Sequence, residues 1–243
     1  MCTLTYLPLE NNNFILTSSR DESPMRKTKL PKSYVENGVE LTYPKDELAG
    51  GTWIGASEKN RLVCLLNGGF KNHVRNTYYK LSRGIIVKNI LSSENVIEYI
   101  NDFNFDEIEP FTLVLLDYSN ELYAYELVWA GEQKYFTILN KEPKIWSSSS
   151  LYTEEMKQCR KNWFSDWLLK NNDFSQEEIL KFHKNETLGD ADVSIKMKRS
   201  YVETVSITSI KKENSKIDIL YTNVLEGETN TLQMKLEEQK LHQ

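Results

Sequence analysis

Apolar residues recur along this chain in short runs, and their spacing predicts strands at both ends with helices grouped between them. Alternating or continuous apolar runs of this length are typical of half-buried and buried strands. The predicted strands cover residues 1–6, 14–19, 52–56, 62–66, 111–116, 122–129, 135–139, 202–210, 217–221 and 229–236. The segment 23–47 is rich in proline and lysine, and it is predicted to be a long surface excursion.

Helical spacing and capping signals predict helices over residues 82–91, 93–103, 153–170 and 175–183. The third helix is predicted to pack through an apolar stripe made of Met156, Cys159, Trp163 and Trp167. This order of elements favours an α+β layered domain over a regular alternation of strands and helices. We expect one domain over residues 1–243, with a polar tail from about residue 237.

The composition is ordinary for a soluble globular protein, and it narrows the possible partners. Charged residues make up 27% of the 243 residues, and 30 basic against 35 acidic side chains give a net charge of -5. The basic residues are scattered, so no nucleic-acid partner is expected. No apolar stretch is long enough for a membrane span, and the N-terminus lacks the pattern of a secretory signal. A cytoplasmic location is therefore predicted.

The cysteines and histidines show neither a disulfide framework nor a metal-binding pattern. The three cysteines are far apart and include no CxxC pair. Cys64 and Cys159 fall within apolar patterns and are predicted to be core residues. His73, His183 and His242 lack the spacing of metal ligands and are predicted to lie on the surface. No metal and no cofactor is therefore expected.

Cys2 is distinguished by its position directly after Met1. If an aminopeptidase removes Met1, the same residue carries a thiol and a free α-amino group. A thiolate is the reactive nucleophile, and a neutral amine can act as its base. An ordinary thiol and an ordinary α-amino group have pKa values of about 8.5 and about 7.7–8.0, close enough for proton transfer near neutral pH. Position alone is a weak signal, because such a cysteine is more often a core residue of a strand.

Further motifs follow this cysteine in a recognisable order. They are SRDE at residues 19–22, GGTWIG at 50–55 and LN at 66–67. Together with Met1-Cys2 they resemble the NRDE family, also called the Transport and Golgi Organization protein 2 family. The later segment KRS at 198–200 is similar to the family's late Thr-Arg-Ser segment. Two departures stand out, because Ser19 replaces the asparagine of the signature and two extra residues separate Arg199-Ser200 from the following strand.

The resemblance implies the fold and the site of the N-terminal nucleophile (Ntn) hydrolases. The implied fold is a four-layer αββα sandwich in which the N-terminal strand ends at the active site. Cys2 would be the nucleophile and, through its own amine, the base. Arg20 would polarise the thiol, and Asp21 would hold the amine. Asn67 would donate to the oxyanion, and Arg199 would add positive charge near the nucleophile.

Related cysteine acylases imply the class of reaction. Bile salt hydrolases and penicillin acylases cleave non-peptide amide bonds, so the resemblance implies hydrolysis of a linear amide C–N bond through a thioester. In those acylases two residues separate the early arginine and aspartate, whereas Arg20 and Asp21 are adjacent here. At most one of the pair then occupies the acylase position. The serine run at 147–150 is predicted to stand where the acylases carry a further asparagine.

A second class of function stays open at this point. Eukaryotic relatives are linked by resemblance to Golgi organisation, lipid homeostasis and haem handling, so the fold could serve a non-catalytic binding or trafficking protein. Haem ligation has little support, because no histidine or methionine other than the removable Met1 stands in the matched motifs. The expected partner is a small-molecule amide or a lipid-like ligand, and the sequence does not fix the oligomeric state.

Overall fold

The computed structural model describes residues 3–171 and 173–236. The strands are β1 (Thr3–Pro8), β2 (Phe14–Glu22), β3 (Thr28–Glu36), β4 (Val39–Asp46), β5 (Ile54–Ser57), β6 (Arg61–Asn67), β7 (Phe111–Asp117), β8 (Tyr123–Trp129), β9 (Lys134–Ile138), β10 (Lys144–Ser147), β11 (Glu203–Glu213), β12 (Lys216–Asn223) and β13 (Glu228–Lys235). The helices are α1 (Arg83–Ser92), α2 (Val96–Asp102), α3 (Glu154–Lys170) and α4 (Gln176–His183). Cys2 and the predicted polar tail lie outside the described residues.

The strands form two antiparallel sheets. One sheet has six strands in the order β10-β1-β2-β11-β12-β13, and the other has seven in the order β3-β4-β5-β6-β7-β8-β9. In the six-stranded sheet β1 lies between β2 and β10, with Thr3 paired to Ser19 on one side and to Ser147 on the other. The start of the described chain is therefore an interior strand of its sheet, one place from the edge.

Alternating side chains on the strands build the core between the sheets. Leu4 and Leu16 of the six-stranded sheet belong to the same buried cluster as Leu62 and Val114 of the seven-stranded sheet, and all four are fully buried. Burying an aliphatic side chain of this size contributes about 1.5–3 kcal/mol. The period of two along each strand thus turns alternation in sequence into a continuous apolar layer.

The outer faces of both sheets are covered by helices. Ile86 and Ile100 of α1 and α2 pack with Leu113 of the seven-stranded sheet, while Phe164 and Ile179 of α3 and α4 belong to the cluster on the other sheet. The molecule is therefore an αββα sandwich, as the family resemblance implies. Among the described residues no helix is long and apolar enough to cross a membrane.

The structure corrects one residue of the predicted stripe of α3, while the other three are partly buried and pack against core clusters. Arg160 and Phe164 are its buried residues, whereas Cys159 is exposed and is not a core residue. One helical residue is a rotation of about 100°, so the most deeply buried positions lie one step beyond Cys159. An arginine can occupy that face only because its donors find partners inside the protein. Cys64, by contrast, is fully buried in β6 as predicted.

The segment 23–47 is also different from the prediction, because most of it forms strands β3 and β4 rather than a surface excursion. Pro31 lies where the register between these strands shifts, between Lys29 and Lys32. A proline is tolerated at such an irregularity on an edge strand, where no ladder hydrogen bond is required of it. The predicted meander over 111–139 is confirmed as β7, β8 and β9.

Candidate active site

A cleft of about 770 Å³ lies where strands of the two sheets meet two loops. Its walls come from β2, β4 and β6 and from the loops at residues 49–53 and 75–84. Among the described residues, the charged ones that line it are Arg20, Glu22, Arg26, Asp46, Arg75, Arg83 and Glu109. A ligand in this cleft would therefore meet side chains of both charges.

Arg20 enters the cleft from β2 and is held on two sides. Its Nη2 donates to Oδ2 of Asp46 at 2.8 Å, and its guanidinium carbon lies 4.8 Å from the centre of the Trp53 ring. Burial lowers the pKa of Arg20, while the charges of Glu22 and Asp46 oppose that shift. A guanidinium in such surroundings keeps its proton at physiological pH. Arg20 is thus a fixed positive charge in the cleft.

Asp46 connects Arg20 to a second arginine. Nε of Arg26 lies 2.8 Å from Oδ2 of Asp46, and Nη1 of Arg26 donates to Glu22 at 3.0 Å. Burial alone would raise the pKa of Asp46, but the N–H of Ala49 and the two guanidiniums outweigh it and lower that pKa. We call these four charged residues the inner charge cluster: Arg20, Glu22, Arg26 and Asp46.

Two glycines allow helix α1 to begin against the wall of the cleft. A Cβ on Gly51 would lie 2.8 Å from the backbone carbon of Gly84, and a Cβ on Gly84 would lie 2.9 Å from the carbonyl oxygen of Thr52. The hydroxyl of Thr52 donates to the carbonyl of Pro44 at 2.7 Å. The glycine-rich segment therefore fixes the loop that carries Trp53 to Arg20.

Asn67 ends strand β6 and lines the same cleft. Its carbonyl accepts a hydrogen bond from Ser148 Oγ at 2.6 Å, and its side-chain amide bonds to no residue in the described ranges. Gly68 follows with φ of +85°, and a Cβ there would lie 2.2 Å from Oγ of Ser149. The serine run therefore packs against the end of β6, and Ser150 reaches the cleft.

Asp21 has different surroundings from Arg20, because neighbouring residues of a strand face opposite sides of the sheet. Its Oδ2 accepts from the Tyr152 hydroxyl at 2.8 Å, and its Oδ1 accepts from Thr204 Oγ1 at 2.6 Å. The pairing of β2 with β11 shifts between Thr204 and Ser206, directly beside this position. A bulge of this kind re-aims side chains next to functional sites. Here the bulge lies beside Thr204, whose hydroxyl donates to the Asp21 carboxylate.

Arg160 of α3 extends this contact into the interior. It is fully buried, and its Nη2 donates to the Tyr152 hydroxyl at 3.0 Å while the guanidinium carbon lies 3.7 Å from the centre of the Tyr152 ring. Its other donors reach Thr3 Oγ1 and two backbone carbonyls. The guanidinium, the phenol and the carboxylate of Asp21 form a connected chain, which we call the carboxylate support.

Ser19, the residue that departs from the family signature, faces the helical layer. Its hydroxyl lies 2.8 Å from Nδ1 of His183, and Nε2 of the same ring lies 2.8 Å from the Thr5 hydroxyl. The prediction that His183 lies on the surface is wrong, because its side chain is fully buried. Burial and the charge of Arg160 lower the pKa of His183 to about 3. The serine at the first signature position therefore supports packing and does not reach the cleft.

Arg199 lies in the loop before β11 and is not among the residues that line the cleft. Its guanidinium donates to the carbonyls of Leu151 at 3.0 Å and Asp192 at 2.7 Å. Its guanidinium carbon lies 5.3 Å from the centre of the Tyr152 ring. Arg199 is thus brought to the carboxylate support, on the side of the sheet where Asp21 lies.

Comparisons with known proteins give the family and the fold of this chain. A model of the family named Transport and Golgi organisation 2 matches residues 1–230. The chain belongs to this family. A search of curated proteins found no match.

Solved structures similar to this family member share its fold at low sequence identity. A Caenorhabditis elegans N-acylethanolamine-hydrolyzing acid amidase ortholog has a TM-score of 0.58 and 12% identity over 86% of this chain and 92% of its own. A variant of conjugated bile acid hydrolase from Clostridium perfringens has a TM-score of 0.56 and 11% identity over 98% of both chains. Penicillin V acylase from Agrobacterium tumefaciens has a TM-score of 0.50 and 10% identity over 97% and 86%. The chain therefore has the Ntn-hydrolase fold.

The family motifs are only partly brought together. Arg20 and Asn67 share the cleft, whereas Asp21 and Arg199 meet at Tyr152 on the other side of the sheet. Cys2 falls outside the described residues, so its place in the site stays a prediction. Sequence reasoning did not select four further residues at these two places: Glu22, Asp46, Tyr152 and Arg160. Of these four, only Glu22 carried a signal in the sequence, because it stands in the SRDE motif on the same strand face as Arg20.

Proposed function

We propose that this protein is a cysteine N-terminal nucleophile hydrolase that cleaves a linear, non-peptide amide bond after removal of Met1. The family and the fold support an Ntn-type hydrolase in general. The observation that carries the proposal is that Arg20 and Asn67, from different sheets and distant in sequence, line one cleft. Ser19, which precedes Arg20, pairs with Thr3, and Cys2 directly precedes Thr3 in sequence.

The proposed reaction has two balanced halves. The α-amino group of Cys2 takes the thiol proton, and the thiolate attacks the amide carbonyl, so that a C–S bond forms and negative charge moves to the oxygen. Collapse breaks the C–N bond, and the amine leaves with the proton that the α-amino group returns. Water then adds to the thioester, the C–S bond breaks, and a carboxylic acid and the free thiol are restored.

Two cleft residues have complementary roles in this proposal. The Asn67 amide has no competing side-chain partner in the described part of the chain, so its N–H groups can serve the oxyanion. A preorganised donor of this kind typically contributes a factor of about 10²–10³ in kcat. Arg20 is already oriented by Asp46 and Trp53, so its positive charge favours the thiolate without reorganisation.

The first test is the intact mass of the purified full chain. The proposal requires a mass that lacks Met1, because only then does Cys2 carry a free amine. A protein that retains Met1 throughout would rule out the free-amine mechanism. The same sample is then treated with a thiol-reactive amide or lactam analogue, and its intact mass is measured again.

The second test separates Cys2 from the other thiols. Labelling is followed in a Cys159→Ser background, because Cys159 is exposed and would react regardless of the site. Cys64 is a matched internal control, since burial raises the pKa of its thiol to about 12. We expect one adduct, located at Cys2 by peptide mapping and absent from Cys2→Ala. Labelling of Cys2 no faster than Cys64 would contradict the proposal.

A further inference from the structure

The charged side chains of the cleft form two groups that differ in net charge. In the inner charge cluster, two arginines face two carboxylates, with ion-pair distances of 2.8, 2.8 and 3.0 Å. This cluster has no net charge. The other charged residues that line the cleft in the described part of the chain are Arg75, Arg83 and Glu109, so two guanidiniums there face one carboxylate. We call them the outer charge cluster.

The outer charge cluster has donors to spare. Arg83 Nη2 lies 3.0 Å from Oε2 of Glu109, and its Nη1 donates to the carbonyl of Pro110 at 3.0 Å. Arg75 Nε is 3.7 Å from Oε1 of Glu109, and His73 Nε2 is 3.5 Å from that oxygen. The Arg75 side chain is 78% exposed, and its guanidinium makes no hydrogen bond to any residue in the described ranges. One carboxylate cannot satisfy both guanidiniums, so the cluster is one positive charge in excess.

Helix α1 adds to this positive potential. Ser82, Arg83 and Gly84 line the cleft at the point where the helix begins, so its N-terminal end faces the same space. The first turn contains no acidic residue, and the Ser82 side chain makes no capping hydrogen bond. The partial positive charge of a helix N-terminus is strongest within this first turn. It therefore reinforces the excess charge of Arg75 and Arg83.

The local charge is opposite to that of the whole chain. The protein carries a formal net charge of -5, yet the described residues that line the cleft include four arginines against three carboxylates. An excess of one sign in a concave site attracts ligands of the opposite sign and increases their rate of association. The arrangement is thus specific to the cleft rather than a consequence of composition.

From this geometry we propose that the outer charge cluster is a binding subsite for a carboxylate carried by the substrate, which is then an N-acyl amino acid or a similar acidic amide. The inference rests on the proposed function for the amide and on the cleft geometry for the carboxylate. A single excess positive charge matches one carboxylate, whereas a phosphate dianion would leave one negative charge uncompensated. Arginine suits this task because its planar fork can bind both carboxylate oxygens.

The test measures binding rather than turnover, in full-length Cys2→Ala protein. The probes are two matched pairs: N-phenylacetylglycine with N-phenylacetylglycinamide, and N-hexanoylglycine with N-hexanoylglycinamide. The members of each pair differ in one negative charge and little in size. By calorimetric titration at low salt, we expect the acid of at least one pair to bind about tenfold more tightly than its amide, as for a charge-assisted contact.

Variants assign that preference to the subsite. Arg83→Gln should remove it, and Arg75→Gln, at an exposed side chain that can change without unfolding the protein, should weaken it. Lys80→Gln is the matched control. Lys80 lies three residues before Arg83 and carries the same charge, but it does not line the cleft. Equal affinity within both pairs, absence of binding by all four probes, or a preference that survives Arg83→Gln would each overturn the inference.

The experiments distinguish failure of the hydrolase proposal from failure of the carboxylate subsite. If the protein with intact Cys2 hydrolyses none of these probes and Cys2 shows no special reactivity, the hydrolase proposal fails. A carboxylate preference that depends on Arg83 would still support the subsite in that case. Conversely, hydrolysis of neutral amides in preference to acidic ones would support the hydrolase and contradict the subsite.

Discussion

On one face of strand β2, Arg20 and Glu22 meet charged partners in a cleft open to ligands, and on the other face Ser19 and Asp21 meet an imidazole and a phenol inside the protein. Four consecutive residues of one motif are therefore sorted into two environments by the period of two along a strand. Substitutions on the cleft face should act mainly on ligands and reactivity. Substitutions on the other face should act first on stability and only through Asp21 on the site.

The two faces also differ in how their charges are compensated. The cleft arginines have carboxylates as direct partners, with Arg20 at 2.8 Å from Asp46. Arg160, under the opposite face, makes no ion pair within the described ranges and relies on hydroxyls, carbonyls and the Tyr152 ring. A buried charge held in this way depends on every partner, because water cannot replace a lost one.

The largest effect is expected from Arg160→Gln. The shorter amide cannot satisfy the group of acceptors that Arg160 serves, and each buried acceptor left without a donor typically costs about 1–3 kcal/mol. Unfolding in urea, followed by circular dichroism, measures the change in the free energy of unfolding. Arg75→Gln, at an exposed arginine of the cleft, should change it by less than about 0.5 kcal/mol. Equal losses in the two variants would remove the distinction between the faces.

An intermediate effect is expected from His183, as a dependence of stability on pH. Its pKa is lowered to about 3 in the folded protein, against an ordinary value of about 6.5. As pH falls below 6.5 the unfolded chain binds a proton that the folded chain does not, so stability decreases toward pH 3. Between pH 6.5 and pH 5 this amounts to about 2 kcal/mol.

The measurement compares the slope of unfolding free energy against pH in the wild type and in His183→Gln. The variant should lose this contribution, whatever its stability at pH 7. His73→Gln, which changes a histidine near the cleft, should retain the slope. A slope that persists in His183→Gln would mean that other groups titrate in that range and that this histidine is not held neutral by the fold.

The smallest effect is expected from Tyr152→Phe. The variant keeps the ring under the two guanidiniums and removes one hydroxyl, which accepts from Arg160 and donates to Asp21. The expected loss is about 1.5 kcal/mol, the lower end for a hydrogen bond to a charged group, because Arg160 and Asp21 keep their other partners. Because Asp21 is proposed to hold the amine of Cys2, the pH profile of Cys2 alkylation should also shift. Tyr201→Phe, at a 77% exposed tyrosine, should change neither quantity.

Much of the architecture could be predicted from the sequence because it follows from local pattern. The meander over 111–139 has strong strand periodicity, and helix α4 has the Ser175 cap that its sequence predicts. The segment 23–47 could not be predicted in the same way, because its prolines indicated a loop while pairing along the edge of a sheet decided the outcome. The exposure of Cys159 and the burial of Arg160 on α3 were likewise decided by tertiary partners.

The sequence by itself determined the family, the layered fold and the identity of the motif residues, since these depend on order and periodicity along the chain. Only the tertiary structure decided that Arg20 and Asn67 share a cleft while Asp21 and Arg199 meet at Tyr152. The physical reason is that their partners are distant in sequence: Asp46 lies 26 residues from Arg20, and Tyr152 lies 131 residues from Asp21. Contacts of that range leave no periodic signal, and they form only when the two sheets and their helices pack.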